Sequence, residues 1–258
     1  MTVTIDLGGR RALVTGAGQG VGRGIARTLG AAGAEVIVND LVEARCATVV
    51  EEIVGDGGRA STAAFDVTDW PSVSAAVDRA GPLDIVVNNA GNAGKPDTLG
   101  FDDMKPFAEE DPSAWDGFMR VNLFGVMYVT RAALPAMIEQ GHGRIVNIIS
   151  DASRTGEIHM AAYCAAKAGA AGLTRSVARE VGRHGITANC IALGAMNQSE
   201  RPAEVEEQQL MSLIKRYPIR RRGLPSDIAN TVLFLASDLS PWITGQTIPV
   251  NGGYSMAL

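Results

Sequence analysis

Cysteines and aromatics are scarce in this chain, positive charge is not in excess, and long apolar runs are missing. Cys46, Cys164 and Cys190 are the three cysteines among 258 residues. Their spacing matches no metal site, and they read as buried or free thiols of a reducing compartment. Lysine and arginine number 23 against 28 acidic residues, a formal charge of −5, which offers nucleic acid no electrostatic footing. No unbroken apolar run reaches the ~18 residues of a membrane span. The opening MTVTIDLGGRRALVTG lacks the basic-then-apolar order of a secretory signal. Linkers, low-complexity tracts and internal repeats are also missing. The expectation is a single domain over 1–258, cytoplasmic, with no membrane, metal or nucleic-acid partner.

What is present alternates. RALVTG, AEVIVND, STAAFDVTD, LDIVVNNAG, GRIVNIIS, ITANCIAL and TIPVNGG read as seven strands. Helical stretches lie between them, over about 21–32, up to 54, from Ala114 to Gln140, and from AAYCAAKAG on to Val181. Strands apolar on both faces and separated by helices imply an α/β fold, a Rossmann-like doubly wound parallel sheet.

The first strand runs into TGAGQGVGRG. Gly16, Gly20 and Gly22 fit G-x-x-x-G-x-G, with Gly18, Gln19 and Val21 between them. Glycines between strand and helix let backbone N–H groups approach a pyrophosphate. Asp40 ends the second strand, where a carboxylate accepts both hydroxyls of an adenine ribose and repels a 2′-phosphate. Gln19 is not basic, so NAD is expected over NADP.

In AAYCAAKAG, Tyr163 and Lys167 are four apart and share a helix face. An adjacent ammonium lowers a phenol's pKa, which makes the pair a plausible proton acceptor for an alcohol. Ser150 stands at the end of the fifth strand, where parallel-sheet sites open.

TGAGQGVG, NNAG at Asn88 to Gly91, Ser150 and Tyr163-Cys-Ala-Ala-Lys167 together resemble the short-chain dehydrogenases/reductases, over nearly the whole chain. The resemblance implies roles. Tyr163 is the acid/base, Lys167 holds the nicotinamide ribose and lowers the tyrosine pKa, and Ser150 bonds the substrate oxygen. Asn122 supports a proton-relay water. Asp66 and Val67 meet the adenine, Asn89 lies near the ribose and stabilises the sheet, and Met196 joins the cofactor contacts. The Ala- and Gly-rich helix is expected to pack against a second subunit, giving a homo-oligomer, dimer or tetramer.

Four positions depart from the family pattern. Leu193 replaces a proline and Gln198 a threonine in ALGAMNQ; Ser153 replaces a glycine; Asn251 stands where aspartate is frequent. The expected activity is NAD-dependent interconversion of a secondary alcohol and a ketone on an apolar substrate, such as a 3-hydroxyacyl thioester, a hydroxysteroid or a steroid-derived acyl-CoA. Its rivals are an NADPH-dependent 3-oxoacyl reductase and a non-catalytic dinucleotide sensor. A substrate segment is expected over about 195–222, carrying Leu210, Met211, Leu213 and Ile214 and ending in the basic cluster Lys215, Arg216, Arg220, Arg221 and Arg222. An extra segment over about 92–112 carries Leu99, Phe101, Met104 and Phe107 beside the expected site.

Overall fold

The computed structural model describes residues 4–91, 105–197 and 214–256. Its strands follow the apolar runs: β1 (Arg11–Val14), β2 (Glu35–Val38), β3 (Arg59–Thr62), β4 (Ile85–Asn88), β5 (Gly143–Ser150), β6 (Ile186–Leu193) and β7 (Thr247–Val250). They pair in the order β3-β2-β1-β4-β5-β6-β7, every pair parallel. The helices are α1 (Gly20–Ala31), α2 (Glu43–Gly55), α3 (Trp70–Ala80), α4 (Trp115–Met119), α5 (Gly125–Gln140), α6 (Ala152–Thr155), α7 (Ala161–Val181) and α8 (Pro225–Ala236).

Alternation along each strand feeds two apolar layers. Val14, Val36, Val38, Ile85, Val87 and Val146 pack on one face with Ile25 and Leu29 of α1, Val49 of α2 and Ile228 and Val232 of α8. Leu13, Ile37, Val86 and Ile145 point the other way, onto Val73 of α3, Val129 and Met137 of α5 and Val181 of α7. Because both faces of the inner strands are covered, β1, β2 and β4 read as continuous apolar runs, whereas β3 at the sheet edge is largely exposed. β1 lies between β2 and β4. The strand order therefore reverses beside β1, and a crevice opens there at the carboxyl ends of the strands.

Two expectations need correction. The third strand forms over 59–62, earlier and shorter than STAAFDVTD. The Asn39 amide donates to the carbonyls of Ala63 at 2.9 Å and Phe65 at 3.1 Å, drawing the chain off the sheet. The long helix from Ala114 is interrupted: between α4 and α5 the chain makes one π turn, Arg120–Phe124. A π turn inserts a residue into the helix and rotates the side chains after it. The rod Pro112–Gln140, though broken by charged residues, is long and apolar enough, by length and composition alone, to cross a membrane. In this fold it covers the sheet, burying Val126, Val129, Ala133 and Met137, with Arg120 and Arg131 exposed.

Of the extra segment, residues 92–104 with Leu99, Phe101 and Met104 lie outside the described residues, as do Gln198, Leu210, Met211 and Leu213. Phe107 opens a short 3-10 turn. Its ring stacks on Trp115 at 5.4 Å and remains 58% exposed.

Candidate active site

The turn from β1 into α1 is built by hydrogen bonds to backbone. Gly16 adopts φ +60°, and a Cβ on Gly22 would sit 2.2 Å from the Gly16 carbonyl oxygen and 2.4 Å from Asn89 Nδ2. Any side chain at Gly22 breaks the turn. Asn89 donates to the carbonyls of Thr15 at 3.0 Å and Gly16 at 2.9 Å. Thr15 Oγ1 in turn accepts the N–H groups of Asn89 and Ala90 at 3.0 and 3.1 Å. Asn39 completes the clamp: its Oδ1 accepts Gly16 N–H at 3.3 Å, and its carbonyl accepts Ala17 N–H at 2.6 Å. At the N-terminus of α1, Gln19 caps in extended conformation without a side-chain bond, and the first turn carries no acidic residue. Gly20 and Val21 open that turn. A first turn free of competing side chains suits an anion.

Asp40 is buried beneath this loop. Its Oδ2 accepts Gly18 N–H at 3.2 Å and its Oδ1 accepts Val42 N–H at 3.0 Å. A Cβ on Gly18 would lie 2.7 Å from Asp40 Oδ2, so the carboxylate and the loop fit only with glycine there. Arg45 approaches the same carboxylate at 3.9 Å, a cation that the sequence reading missed. On the other side of the crevice Val67 is buried under Gly125. Asp66 is exposed, and its carboxylate accepts Thr68 N–H at 2.8 Å. The residues present thus offer a glycine cradle, a helix N-terminus and a carboxylate in a row, which fits an adenine dinucleotide.

Beyond the cradle the carboxyl ends of β4 and β5, the π turn and α7 converge. Lys167 is fully enclosed, and its ammonium donates to the Ile148 carbonyl at 2.9 Å. Burial lowers its pKa to about 8. Asn122 is buried in the π turn and donates to the Phe118 carbonyl at 3.0 Å. A Cβ on Gly91 would lie 2.8 Å from Asn122 Oδ1 and 2.9 Å from Lys167 Nζ. The two side-chain heads therefore meet at one glycine of NNAG. Tyr163, one turn before Lys167, lies edge-on to Phe118 at 6.4 Å, and Ser150 is the polar neighbour that draws its pKa down.

The pKa reading of the pair needs revision. Burial pushes the Tyr163 phenol above its ordinary value, and the opposing influence is Ser150. The Lys167 ammonium, expected to do that lowering, is directed at the Ile148 carbonyl instead.

Met196 bridges to Gly223 and lines a hollow of about 280 Å³ with Ala195, Tyr217 and Arg221. The basic cluster is partly committed elsewhere. Arg221 forms a bidentate pair with Asp227 at 2.6 and 2.9 Å, and Arg216 lies over the Tyr254 ring at 4.7 Å. The departures have defined partners. Ser153 Oγ donates to the Ser150 carbonyl at 2.6 Å. Leu193 continues β6 in register with Ser150 and Val250. Asn251 donates to the carboxylate of Asp151 at 3.0 Å.

The family model described as enoyl-(acyl carrier protein) reductase matches residues 16–255. The chain is 39% identical to (2S)-((R)-hydroxy(phenyl)methyl)succinyl-CoA dehydrogenase subunit BbsD of Thauera aromatica, over 96% of this chain and 97% of that one. It is 40% identical to the 3-oxoacyl-(acyl-carrier-protein) reductase FabG of Staphylococcus aureus, over 96% and 98%. A solved gluconate 5-dehydrogenase from Burkholderia cenocepacia, in complex with NADP and tartrate, superposes with a TM-score of 0.89 at 36% identity over 99% and 98%. With these matches along almost its full length and a seven-stranded parallel sheet, the chain belongs to the short-chain dehydrogenase/reductase family of oxidoreductases.

Proposed function

We propose that the protein is a cytoplasmic NAD-dependent dehydrogenase that interconverts a secondary alcohol and a ketone on an apolar substrate, with an acyl thioester as the favoured class. The carrying observation is the convergence of Ser150, Tyr163, Lys167 and Asn122 at the crevice that the glycine loop and Asp40 enter. A bound nicotinamide dinucleotide supplies the hydride acceptor or donor. The chain does the rest. Ser150 orients the substrate oxygen, Tyr163 accepts or returns its proton, and Lys167 and Asn122 form a polar path behind the phenol. Positioning of this kind and acid–base catalysis account for most of what a protein contributes beside such a cofactor.

Support for an apolar substrate comes from exposed apolar side chains on the segments that carry the site. Ile158, between Ser150 and Tyr163 in the chain, is exposed, as are Ile219 and Met256. The Thauera relative is named for a phenyl-bearing acyl-CoA. Lys215 and Arg220 are exposed and offer charge to coenzyme A phosphates, although Arg220 also donates to the Lys215 carbonyl, whereas Arg221 is withdrawn by Asp227. A panel of 3-hydroxyacyl-CoA thioesters, hydroxysteroids and sugar alcohols, run with both cofactors, tests the reading. Turnover confined to sugar alcohols would overturn the apolar assignment.

A second reading, use of NADP, is favoured by Arg45 beside Asp40. Asp40→Ala decides between them. The substitution removes the ribose acceptor and the repulsion of phosphate and leaves Arg45 without its anion. NAD affinity is expected to fall by about tenfold, the scale of one lost charged hydrogen bond, while NADP affinity rises. Fluorescence titration with NADH and NADPH reads both. A wild-type protein that already binds the two equally well rules out the NAD assignment.

A further inference from the structure

Asp151 follows Ser150 directly and is almost completely buried, at 2% exposure. A buried carboxylate is costly unless its acceptor positions are filled. Here they are. Oδ1 accepts from Arg154 Nη1 at 2.7 Å and from Ser255 Oγ at 2.8 Å, and Oδ2 accepts from Asn251 Nδ2 at 3.0 Å. Its backbone is held as firmly. The N–H donates to the Leu193 carbonyl at 2.8 Å, and the carbonyl accepts from the N–H groups of Arg154 at 2.8 Å and Thr155 at 3.0 Å.

Two of the side-chain partners arrive from the turn after β7, about a hundred residues along the chain. That turn is itself tied down. Asn251 Nδ2 also donates to the Ser255 carbonyl at 3.0 Å, Arg154 Nη2 donates to the Met256 carbonyl at 2.9 Å, and Arg154 Nη1 donates to Ser255 Oγ at 2.8 Å. Asn251 and Ser153, two of the departures from the family pattern, both belong to this assembly: Ser153 Oγ bonds the Ser150 carbonyl at 2.6 Å.

The assembly meets the Ser150 side chain at one hydrogen bond. Ser150 Oγ accepts the N–H of Ala152 at 3.2 Å, so the course of the 150–155 turn sets the direction of the Ser150 hydroxyl. We propose that Asp151, clasped from the turn after β7 by Asn251 and Ser255, is a positioning residue that holds the Ser150 hydroxyl against Tyr163. The clasp rests on the reading that Ser150 and Tyr163 act on the substrate oxygen. Asp151 itself touches neither substrate nor cofactor; it acts through the turn.

The test compares Asp151→Asn, Ser255→Ala and Ser255→Thr with wild type and with Tyr163→Phe. Asp151→Asn replaces one acceptor by a donor that faces the Arg154 guanidinium. Its kcat is expected to fall by about 10²-fold, the cost of a small misplacement at a reacting centre, while KM and NADH affinity stay within about twofold. Because Ser150 draws the Tyr163 pKa downward, displacing it moves the ascending limb of the kcat–pH profile for alcohol oxidation upward by about half a pH unit or more. NMR titration of ¹³C-labelled tyrosine, assigned by loss of the signal in Tyr163→Phe, should move in the same direction without any substrate. Ser255→Ala should show a smaller version of both shifts, and Ser255→Thr should restore them.

A fall in thermal stability with an unmoved pH limb and unchanged kcat would make the clasp purely structural and overturn the proposal, and Ser255→Ala gives this reading if Asp151→Asn does not fold. If Tyr163→Phe stays active, the reading of Ser150 and Tyr163 fails, and the proposal with it. If Tyr163→Phe is inert and both clasp variants behave as wild type, the proposal alone fails.

Discussion

Tyr163→Phe is expected to lower kcat by about 10²–10⁴-fold, the usual contribution of a positioned acid or base, with NADH affinity almost unchanged. The substitution keeps the ring and its edge-on contact with Phe118. It removes one hydroxyl and its polar interaction with Ser150. Loss of one such interaction costs at most about 1 kcal/mol, so the protein stays folded and the loss appears in turnover. Equal losses in kcat and kcat/KM mark an interaction made in the transition state. Stopped-flow turnover beside near-UV circular dichroism separates catalysis from unfolding. A variant that keeps a tenth of wild-type turnover would remove Tyr163 from the chemistry.

Lys167→Met is expected to be both inert and more stable than wild type at neutral pH. The pKa of Lys167 falls from 10.5 in the free side chain to about 8 in the fold, chiefly through burial. Between those two values the unfolded chain holds a proton that the folded chain has released, so wild-type stability rises with pH across that window. Below about 8 both states are protonated, and the fold carries the whole cost of a buried ammonium. At ~1.4 kcal/mol per pKa unit the cost is about 3 kcal/mol. Loss of the bond to the Ile148 carbonyl returns about 1 kcal/mol. The net gain for methionine is about 2 kcal/mol at pH 7, or roughly 5 °C in Tm for a chain of this size. The advantage should shrink as pH climbs toward 10.5. A variant less stable than wild type at every pH would show that the lysine is structurally favourable and that burial does not penalise it.

Such a trade is common where a site needs a group that its own fold disfavours. It also bears on what the sequence could say. Tyr163 and Lys167 were legible because four residues make one helical turn, and that spacing is local. The glycine loop was legible because close backbone packing excludes every other residue type, as Gly22 demonstrates. The direction of the Tyr163 shift was not legible: burial depends on everything packed around the ring, and the lysine's orientation is settled by the Ile148 carbonyl on another element. Likewise, an amphipathic pattern from 114 to 140 fits a continuous helix, and the inserted π turn is fixed by the packing of Asn122 into the interior. Asp151 left only a faint signal, a charge next to Ser150 and an asparagine in VNGG, because its partners are close in space and far apart along the chain.

The position of β1 between β2 and β4 has a consequence for how the chain reaches this state. The Thr15 hydroxyl meets the Val87 carbonyl across 72 residues. Until β4 has left the ribosome, the inner edge of β1 has unpaired backbone and no neighbour on that side. Central parallel pairs of this kind form late, because a long loop must close before any contact compensates for it. A nascent chain stalled before residue 85 would therefore present an apolar strand edge to its surroundings, and chaperone dependence should peak there and fall once β4 is complete.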